Sequence, residues 1–182
     1  NVFYERDVET RLLIGDVILR TDNDAYAVTG DRGGQLDEFG AYWKDNMEHV
    51  ERQFAAMFSG RDITSRSFSG IAWVDQYCEY GRTWGGRTPG SYSYNAIGSS
   101  WSASSIALYI GHELGHNMGS PHTHCYSTPV DECYNGEYGC FSGDPSCPVS
   151  GRGSIMSYCH LLNGCSNSAE FHPTVQALLE DR

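Results

Sequence analysis

One run of eleven residues constrains this chain more than any other part of it: His112-Glu113-Leu114-Gly115-His116-Asn117-Met118-Gly119-Ser120-Pro121-His122. Residues four positions apart on a helix lie one turn above each other, so a helix here places the imidazoles of His112 and His116 on one face. Gly119 can adopt a positive φ and end that helix, which lets the chain fold back and deliver His122 to the same point. Neutral imidazoles suit zinc, and three protein ligands leave one coordination position for water. The run therefore predicts a metal site of the catalytic kind.

The glutamate inside this run, Glu113, follows the first histidine directly, where its carboxylate can reach a water bound to the metal. The full pattern, HExxHxxGxxH, fixes five positions, so its occurrence by chance in a chain of this composition is about one in ten thousand. The alternative is a helix whose histidines are capped or exposed and bind nothing.

At these residues the chain resembles the metzincin zinc endopeptidases, whose motif is HExxHxxGxxH followed by a tight turn that carries a methionine beneath the zinc. Ser154-Ile155-Met156-Ser157-Tyr158 supplies such a turn. The stretch His116-Asn117-Met118-Gly119 and the cysteines that follow it are most similar to the reprolysin branch, which includes adamalysin and the ADAM proteins. Reprolysins usually place an aspartate directly after the third histidine, and this chain departs from that pattern with Thr123.

The resemblance implies a role for each site residue. Zinc is held by three histidines, and Glu113 is the general base that takes a proton from the attacking water and passes it to the leaving amine. Met156 forms an apolar floor under the histidines. Tyr158 has two open interpretations: it ligates zinc or stabilises the oxyanion, as tyrosines at this spacing do in astacins and serralysins, or it is a packed aromatic. The implied zinc ligands are His112, His116 and His122.

The fold implied by the resemblance is α/β (α+β), with a twisted, mostly parallel sheet, an antiparallel edge strand and packed helices. We expect residues 1–182 to be a single catalytic domain, with an upper subdomain of about 1–119 and a loop-rich, disulfide-stapled lower subdomain of about 120–182. In the family an edge strand before the zinc helix pairs with an extended substrate, and Gly70, Ile71, Ala72 and Trp73 match it. The alternative is an internal strand without a substrate role.

Family members begin with a strand and a long helix that this chain lacks, because the chain starts at about the end of that helix. A sheet without an interior strand leaves backbone groups unpaired, at a cost of a few kcal/mol for each buried group. We therefore expect an associated N-terminal fragment or chain that completes the sheet. The start at Asn1, without a signal-like segment, is typical of a processed mature form.

Composition narrows the possible partners. A chain of 182 residues is long enough for one domain with its own core. The net charge of −11 argues against nucleic acid and against an anionic membrane surface. No apolar run approaches the length of a membrane span. A protein or peptide substrate agrees with these limits.

Seven cysteines occur in the chain, and six of them lie in its last third among Gly, Pro, Ser and Asn. This predicts loops held by disulfides and an oxidising compartment, hence a secreted protein. A second zinc site is the rival interpretation, although no CxxC pair is present. We expect Cys165 to be the unpaired cysteine, because it lies in a glycine-flanked loop; alternatively, the unpaired cysteine bonds to something outside this chain.

Hydrophobic patterning predicts the regular elements. Strands are expected over 10–19, 53–58, 70–74 and 92–97. Helices are expected from Gln35 or Leu36 to about Val50, across the zinc motif and over 174–179, with a flexible loop at Gly30 to Gly34. The zinc helix has N-cap candidates in Ser102, Ser104 and Ser105, and its expected buried face is Ile106, Tyr109, Ile110 and Leu114.

Polar residues outside the motif have less specific interpretations. Asp22 and Asp24 suit Asx turns, and the alternative is a calcium (Ca2+) site. His124, His160 and His172 are expected to be structural or exposed, although His160 can also line a substrate pocket with Leu161 and Leu162.

These observations together favour a secreted zinc-dependent endopeptidase that hydrolyses peptide bonds of protein substrates, using one catalytic Zn2+ ion and a glutamate general base. The alternative is a catalytically inactive metzincin-like module that serves binding or adhesion. A third interpretation is a disulfide-rich structural domain with a closed, four-ligand metal site.

Overall fold

The computed structural model describes residues 1–21, 24–27, 31–60, 70–98 and 100–182. They form two compact units. The first consists of residues 13–118, and the second combines residues 1–12 with residues 119–182.

The sheet of the 13–118 unit has three strands, and they define the mixed α/β character of the chain. They are β1 (Ala55–Ser59), β2 (Gly70–Ala72) and β3 (Tyr92–Ala96), in the order β1-β3-β2. Strand β1 runs parallel to β3, and β2 runs antiparallel to it. The expected combination of parallel pairing with an antiparallel edge strand is confirmed. Every residue of β3 is buried, as suits a central strand.

The helices in the described part of this unit are α2 (Arg32–Asn46) and α3 (Ala103–Asn117). The core lies between α2 and the sheet, and aromatic rings fill much of it. Phe39 of α2 packs edge-on against Tyr26 and Tyr92, with ring centroids 5.7 and 5.9 Å apart. The buried members of this core are Tyr26, Leu36, Phe39, Ala55, Tyr92, Tyr94 and Ala96.

The predicted bounds of α2 need correction at both ends. The helix begins at Arg32 because the Asp31 carboxylate accepts a hydrogen bond from the Gly33 amide at 3.1 Å and caps the first turn. Residues 31–34 are therefore a cap and a first turn, where a flexible loop was expected, and Gly30 lies outside the described residues. The helix ends at Asn46, before Val50.

The strand predicted over residues 10–19 is wrong, since this segment has no regular structure. Most of its aliphatic side chains, including Leu13, Ile14 and Val17, are exposed. β-Branched and aliphatic residues favour a strand only where a neighbouring strand pairs with them and buries one face. None of the described residues pairs with this segment, so its composition alone does not make it a strand. The expected N-terminal segment that completes the sheet stays a prediction.

The second unit begins with a short helix, α1 (Val2–Val8), which the hydrophobic patterning did not predict, and ends with α4 (Pro173–Glu180). Tyr4 and Phe171 are buried between them, with ring centroids 5.0 Å apart. The helix predicted over 174–179 is confirmed as α4. Two short strands, β4 (Arg152–Gly153) and β5 (Ser166–Asn167), pair in parallel.

Three disulfides hold the loops of this unit: Cys125–Cys140, Cys133–Cys159 and Cys147–Cys165. The disulfide-stapled region is confirmed, but the choice of Cys165 as the odd cysteine is wrong. The free cysteine is the exposed Cys78, which lies in the other unit. Cys165 has a partner because all six cysteines of the 119–182 segment belong to one compact unit. Among the described residues, no helix is long and apolar enough to cross a bilayer.

Candidate metal centre

Helix α3 carries the first two predicted zinc ligands and the predicted base. The Ser102 hydroxyl accepts a hydrogen bond from the Ser105 amide at 3.1 Å, so Ser102 is the N-cap that the sequence offered among three serines. Leu114 is buried, whereas Ile106, Tyr109 and Ile110 are only half-buried. The deepest part of the helix is instead its last two turns, where the metal motif lies.

The imidazoles of His112 and His116 converge as helical spacing predicts. Their Nε2 atoms are 3.1 Å apart, and the two rings are nearly perpendicular, at 88°. Two nitrogens that bind one tetrahedral zinc at about 2.05 Å are about 3.3 Å apart. The pair therefore has the separation that a shared zinc ion requires.

Glu113 points its carboxylate into the interior of the 13–118 unit and is only 5% exposed. Burial raises the pKa of Glu113 to about 8, although the positive charge of Arg32 opposes the shift. Its Oε2 has no hydrogen-bond partner among the described residues. A buried carboxyl oxygen without a hydrogen-bond partner in the protein is typical of a functional group that acts on a bound molecule.

Gly70, the first residue of β2, leaves the space that this carboxylate occupies. A Cβ atom added at Gly70 would lie 2.4 Å from Oε1 and 2.7 Å from Cγ of Glu113. The edge strand and the predicted base are therefore in direct contact, and only glycine permits it.

The end of α3 is held by hydrogen bonds to the chain around β2. Asn117 is fully buried, and its Nδ2 donates to the carbonyl oxygens of Trp73 at 2.8 Å and Tyr92 at 3.1 Å. In return, the amides of Asp75 and Gln76 donate to the carbonyl oxygens of His116 and Asn117, both at 2.9 Å. These bonds satisfy carbonyl groups that a helix end would otherwise leave unpaired.

The third predicted ligand, His122, lies in the other compact unit, after Gly119. Gly119 has a φ of 104°, so the prediction that it turns the chain at the end of the helix is confirmed. His122 Nδ1 lies 2.7 Å from Oε2 of Glu137, and the same oxygen lies 3.0 Å from Nε2 of His124. Hydrogen bonds from His122 and His124 lower the pKa of Glu137 well below its usual range.

The predicted methionine turn is in the same unit as His122 and is tied to the residue that follows it. Thr123 donates to the carbonyl oxygen of Met156 through its amide at 3.0 Å and its hydroxyl at 3.2 Å. Met156 is fully buried. The ring of Tyr158 lies 4.2 Å from that of His122, centroid to centroid, and 5.4 Å from that of His124.

Two clusters of residues in this unit also bring potential metal-binding atoms together, but in both the cysteine sulfurs are in disulfide bonds. His122, His124, Cys125 and Glu137 form one group, but Cys125 is in a disulfide with Cys140. Asp131 forms the other with Cys133 and Cys159, which are bonded to each other. Disulfide sulfurs are not thiolate ligands, so neither group is a cysteine zinc site.

The remaining polar candidates have structural roles. His172 caps α4, since its Nδ1 accepts a hydrogen bond from the Thr174 amide at 3.2 Å. His160 lies on the surface, with its Nδ1 3.2 Å from Nδ2 of Asn167. The Asp24 carboxylate accepts a bond from the Tyr26 amide at 3.0 Å, as in an Asx turn. Asp22 lies outside the described residues, and nothing in the described part of the chain supports calcium.

A comparison with protein families matches residues 1–123 to the family described as metallo-peptidase family M12B, reprolysin-like. The match covers both α3 histidines, Glu113 and His122. The chain belongs to the reprolysin-like M12B metallopeptidases. No curated protein matches the chain.

Membership of the M12B family implies zinc, and the histidine groups described above can hold a metal. Sequence reasoning missed the roles of Glu137 and Asn117 at this candidate site, and it missed one contact of Gly70, a residue that it had named. The close contact of Gly70 with Glu113 and the long reach of Glu137 to His122 have no signal in a single sequence. Asn117 did have one, because a polar residue directly after a ligand at the end of an apolar helix indicates a specific partner.

Proposed function

We propose that this chain is a secreted, zinc-dependent endopeptidase that hydrolyses peptide bonds of protein substrates. One observation carries the proposal: His112 and His116 offer nitrogens at the spacing of a shared zinc ion, and the buried Glu113 stands beside them in a chain of the M12B family. The sequence motif supports His122 as the third ligand.

A zinc ion held by His112, His116 and His122 would lower the pKa of a bound water towards neutrality and would polarise a peptide carbonyl. The protein itself contributes the carboxyl group of Glu113, which can take up and release a proton during hydrolysis. Glu113 accepts the proton of the attacking water and returns it to the leaving amine. The absence of a hydrogen-bond partner for Oε2 among the described residues supports this role, because that oxygen is not committed to a structural bond.

The substrate binds, in this proposal, along β2. Strand β2 lies at the edge of the three-stranded sheet, and its residues Gly70, Ile71 and Ala72 are half-buried. An edge strand binds any extended peptide through main-chain hydrogen bonds, which suits an enzyme that cleaves proteins. Contact between Gly70 and Glu113 puts the start of this strand next to the proposed base. Trp73 follows β2 directly, and its amide donates a hydrogen bond to the Tyr92 carbonyl oxygen of the neighbouring strand β3 at 3.4 Å.

Met156 and Tyr158 complete the proposed site. Burial of Met156 supports the role of an apolar floor, and the contact of Tyr158 with the ring of His122 supports a packing role for this tyrosine. A Tyr158→Phe variant keeps that packing. We expect its kcat to stay within about twofold of the wild type, whereas an oxyanion role predicts a loss of about 10²-fold.

The decisive experiment compares the wild type with Glu113→Ala in hydrolysis of casein. The wild type should contain one zinc per chain and lose activity to a chelator, and Glu113→Ala should retain zinc while kcat falls by about 10²–10⁴-fold. Glu132→Ala is the matched control, because Glu132 is an exposed carboxylate in the other unit. Zinc binding without hydrolysis in the wild type would favour the binding or adhesion module instead.

Secretion is part of the proposal, and the three disulfides support it, because such bonds persist in oxidising compartments. Recovery of the active protein from culture medium with all three disulfides formed is the direct check.

A further inference from the structure

We propose that Glu137 is a positioning residue that fixes His122 in the tautomer able to bind zinc. This inference rests on the proposed function, since it assigns a partner to the third ligand of the zinc site. It adds a residue that no part of the sequence motif contains, 15 positions beyond His122.

One carboxylate oxygen serves two imidazoles. Oε2 of Glu137 lies 2.7 Å from Nδ1 of His122 and 3.0 Å from Nε2 of His124. The two rings are parallel to within 6°, with centroids 5.4 Å apart. A carboxylate oxygen has two lone pairs, so it can accept both bonds at once.

The tautomers follow from the chemistry of the acceptor. An ionised carboxylate accepts hydrogen bonds and donates none, so the proton of each bond resides on the imidazole. His122 therefore carries its proton on Nδ1 when neutral, and Nε2 keeps the lone pair that a metal ion needs. Carboxylates that hydrogen-bond the far nitrogen of a histidine ligand orient the ring and raise its basicity.

His124 holds the carboxylate in place from the other side. It is fully buried, and the rings of Tyr134 and Tyr158 pack against it, with centroids 5.3 and 5.4 Å away. The Glu137 side chain is 39% exposed, so the protein interior alone would not immobilise it. The bond from His124 supplies a rigid second anchor. The inference thus gives a role to the histidine that follows the motif by two positions.

The backbone keeps Glu137 near His122 despite the distance in sequence. The Cys125–Cys140 disulfide closes the intervening loop, and the Phe141 amide donates to the His124 carbonyl oxygen at 2.9 Å. The loop that carries Glu137 is therefore anchored close to His122 at both of its ends.

The experiment measures zinc affinity by competition with a chelator of known affinity, in the wild type, Glu137→Gln and Glu137→Ala. The glutamine keeps a neutral acceptor, whereas the alanine removes it. We expect the zinc Kd to rise by about 10–100-fold in Glu137→Ala, with Glu137→Gln between it and the wild type. Glu132→Gln, an exposed glutamate of the same unit, is the control and should bind zinc like the wild type.

Three outcomes would overturn the inference. A Glu137→Ala variant with the wild-type Kd means that the carboxylate does not act on the ligand, even if the melting temperature of the zinc-free protein falls. A second equivalent of zinc that disappears in this variant means that Glu137 is itself a ligand. A wild type that binds no zinc overturns both this inference and the proposed function. The first two outcomes overturn the inference alone, so the two failures can be told apart.

A second measurement needs no variant. Imidazole ¹⁵N chemical shifts of the zinc-free wild type near pH 8 report the tautomer of His122. We expect a protonated Nδ1 and an unprotonated Nε2, and a proton on Nε2 would overturn the inference.

Discussion

The Glu113 carboxyl lies in an environment that is energetically unfavourable for a group with only a structural role. It is buried, and Oε2 lacks a hydrogen-bond partner among the described residues. An unsatisfied buried polar group costs about 1–3 kcal/mol. A leucine in this place would avoid that cost, so the glutamate is explained by what it does rather than by what it stabilises. Violations of this kind concentrate at functional sites.

Gly70 provides the sharpest test at the residue scale. In Gly70→Ala the new methyl would meet Cγ and Oε1 of Glu113, so the whole carboxylate side chain has to move. We expect kcat for peptide hydrolysis to fall by about 10²-fold, because a displacement of about 1 Å has an effect of this size on a reacting group. Steady-state kinetics with a fluorogenic peptide measure it, together with zinc content, which should not change.

Gly60→Ala is the matched control for this variant, since a Cβ atom there meets nothing within 4 Å. It should keep the wild-type kcat. If Gly70→Ala also keeps it, Glu113 is not confined by β2 in the way described.

At the scale of elements, the end of α3 is joined to the sheet by a closed set of hydrogen bonds. Asn117 donates to carbonyls beside β2 and in β3, while amides that follow β2 donate to the last carbonyls of the helix. His112 and His116 of α3 and the edge strand therefore share one rigid support. Precise placement of reactive groups requires such support.

Asn117→Asp tests this support. An aspartate cannot donate to the two carbonyl oxygens and would place a charge beside them, so we expect the free energy of unfolding to fall by about 2–4 kcal/mol. Urea unfolding of the zinc-free protein measures the change. Asn135→Asp is the control, because Asn135 makes a single, exposed hydrogen bond to the Gly143 carbonyl, at 2.9 Å. Equal losses in the two variants would contradict the role of Asn117.

The elements also show where sequence reasoning succeeds and fails. Local signals identified α3, a group of three serines that contains its N-cap, and the histidine pair, because helical spacing and capping act within a few residues. Residues 10–19 have the composition of a strand, but a strand depends on a neighbour that composition does not reveal. The reach of Glu137 to His122 depends on a disulfide whose pairing cannot be read from cysteine spacing.

At the scale of the whole molecule, Asp7 joins segments that are far apart in sequence. Its Oδ2 accepts hydrogen bonds from the Phe171 amide and the Arg6 guanidinium, each at 2.8 Å. The Arg6 bond, together with that amide, holds the pKa of Asp7 below its usual range. A carboxyl with a lowered pKa in the folded state stabilises the protein above its unfolded pKa of about 4, and this contribution is lost as the pH falls below that value.

We therefore expect Asp7→Asn to lower the free energy of unfolding by about 1–2 kcal/mol at pH 7, and the difference from the wild type to shrink below pH 4. Urea unfolding at pH 7 and pH 3 measures both parts. Asp144→Asn, at an exposed position of the same unit, should have no effect at either pH. A difference for Asp7→Asn that is equally large at pH 3 would show that its charge is not the cause.

Helices α1 and α4 pack against each other although Asp7 and Phe171, which are joined by a hydrogen bond, are 164 positions apart in sequence. During synthesis α1 leaves the ribosome long before its partner exists. Tyr4 gains its contact with Phe171 only once residue 171 has been synthesised. The packing of α1 in this unit is therefore a late, non-local step of folding.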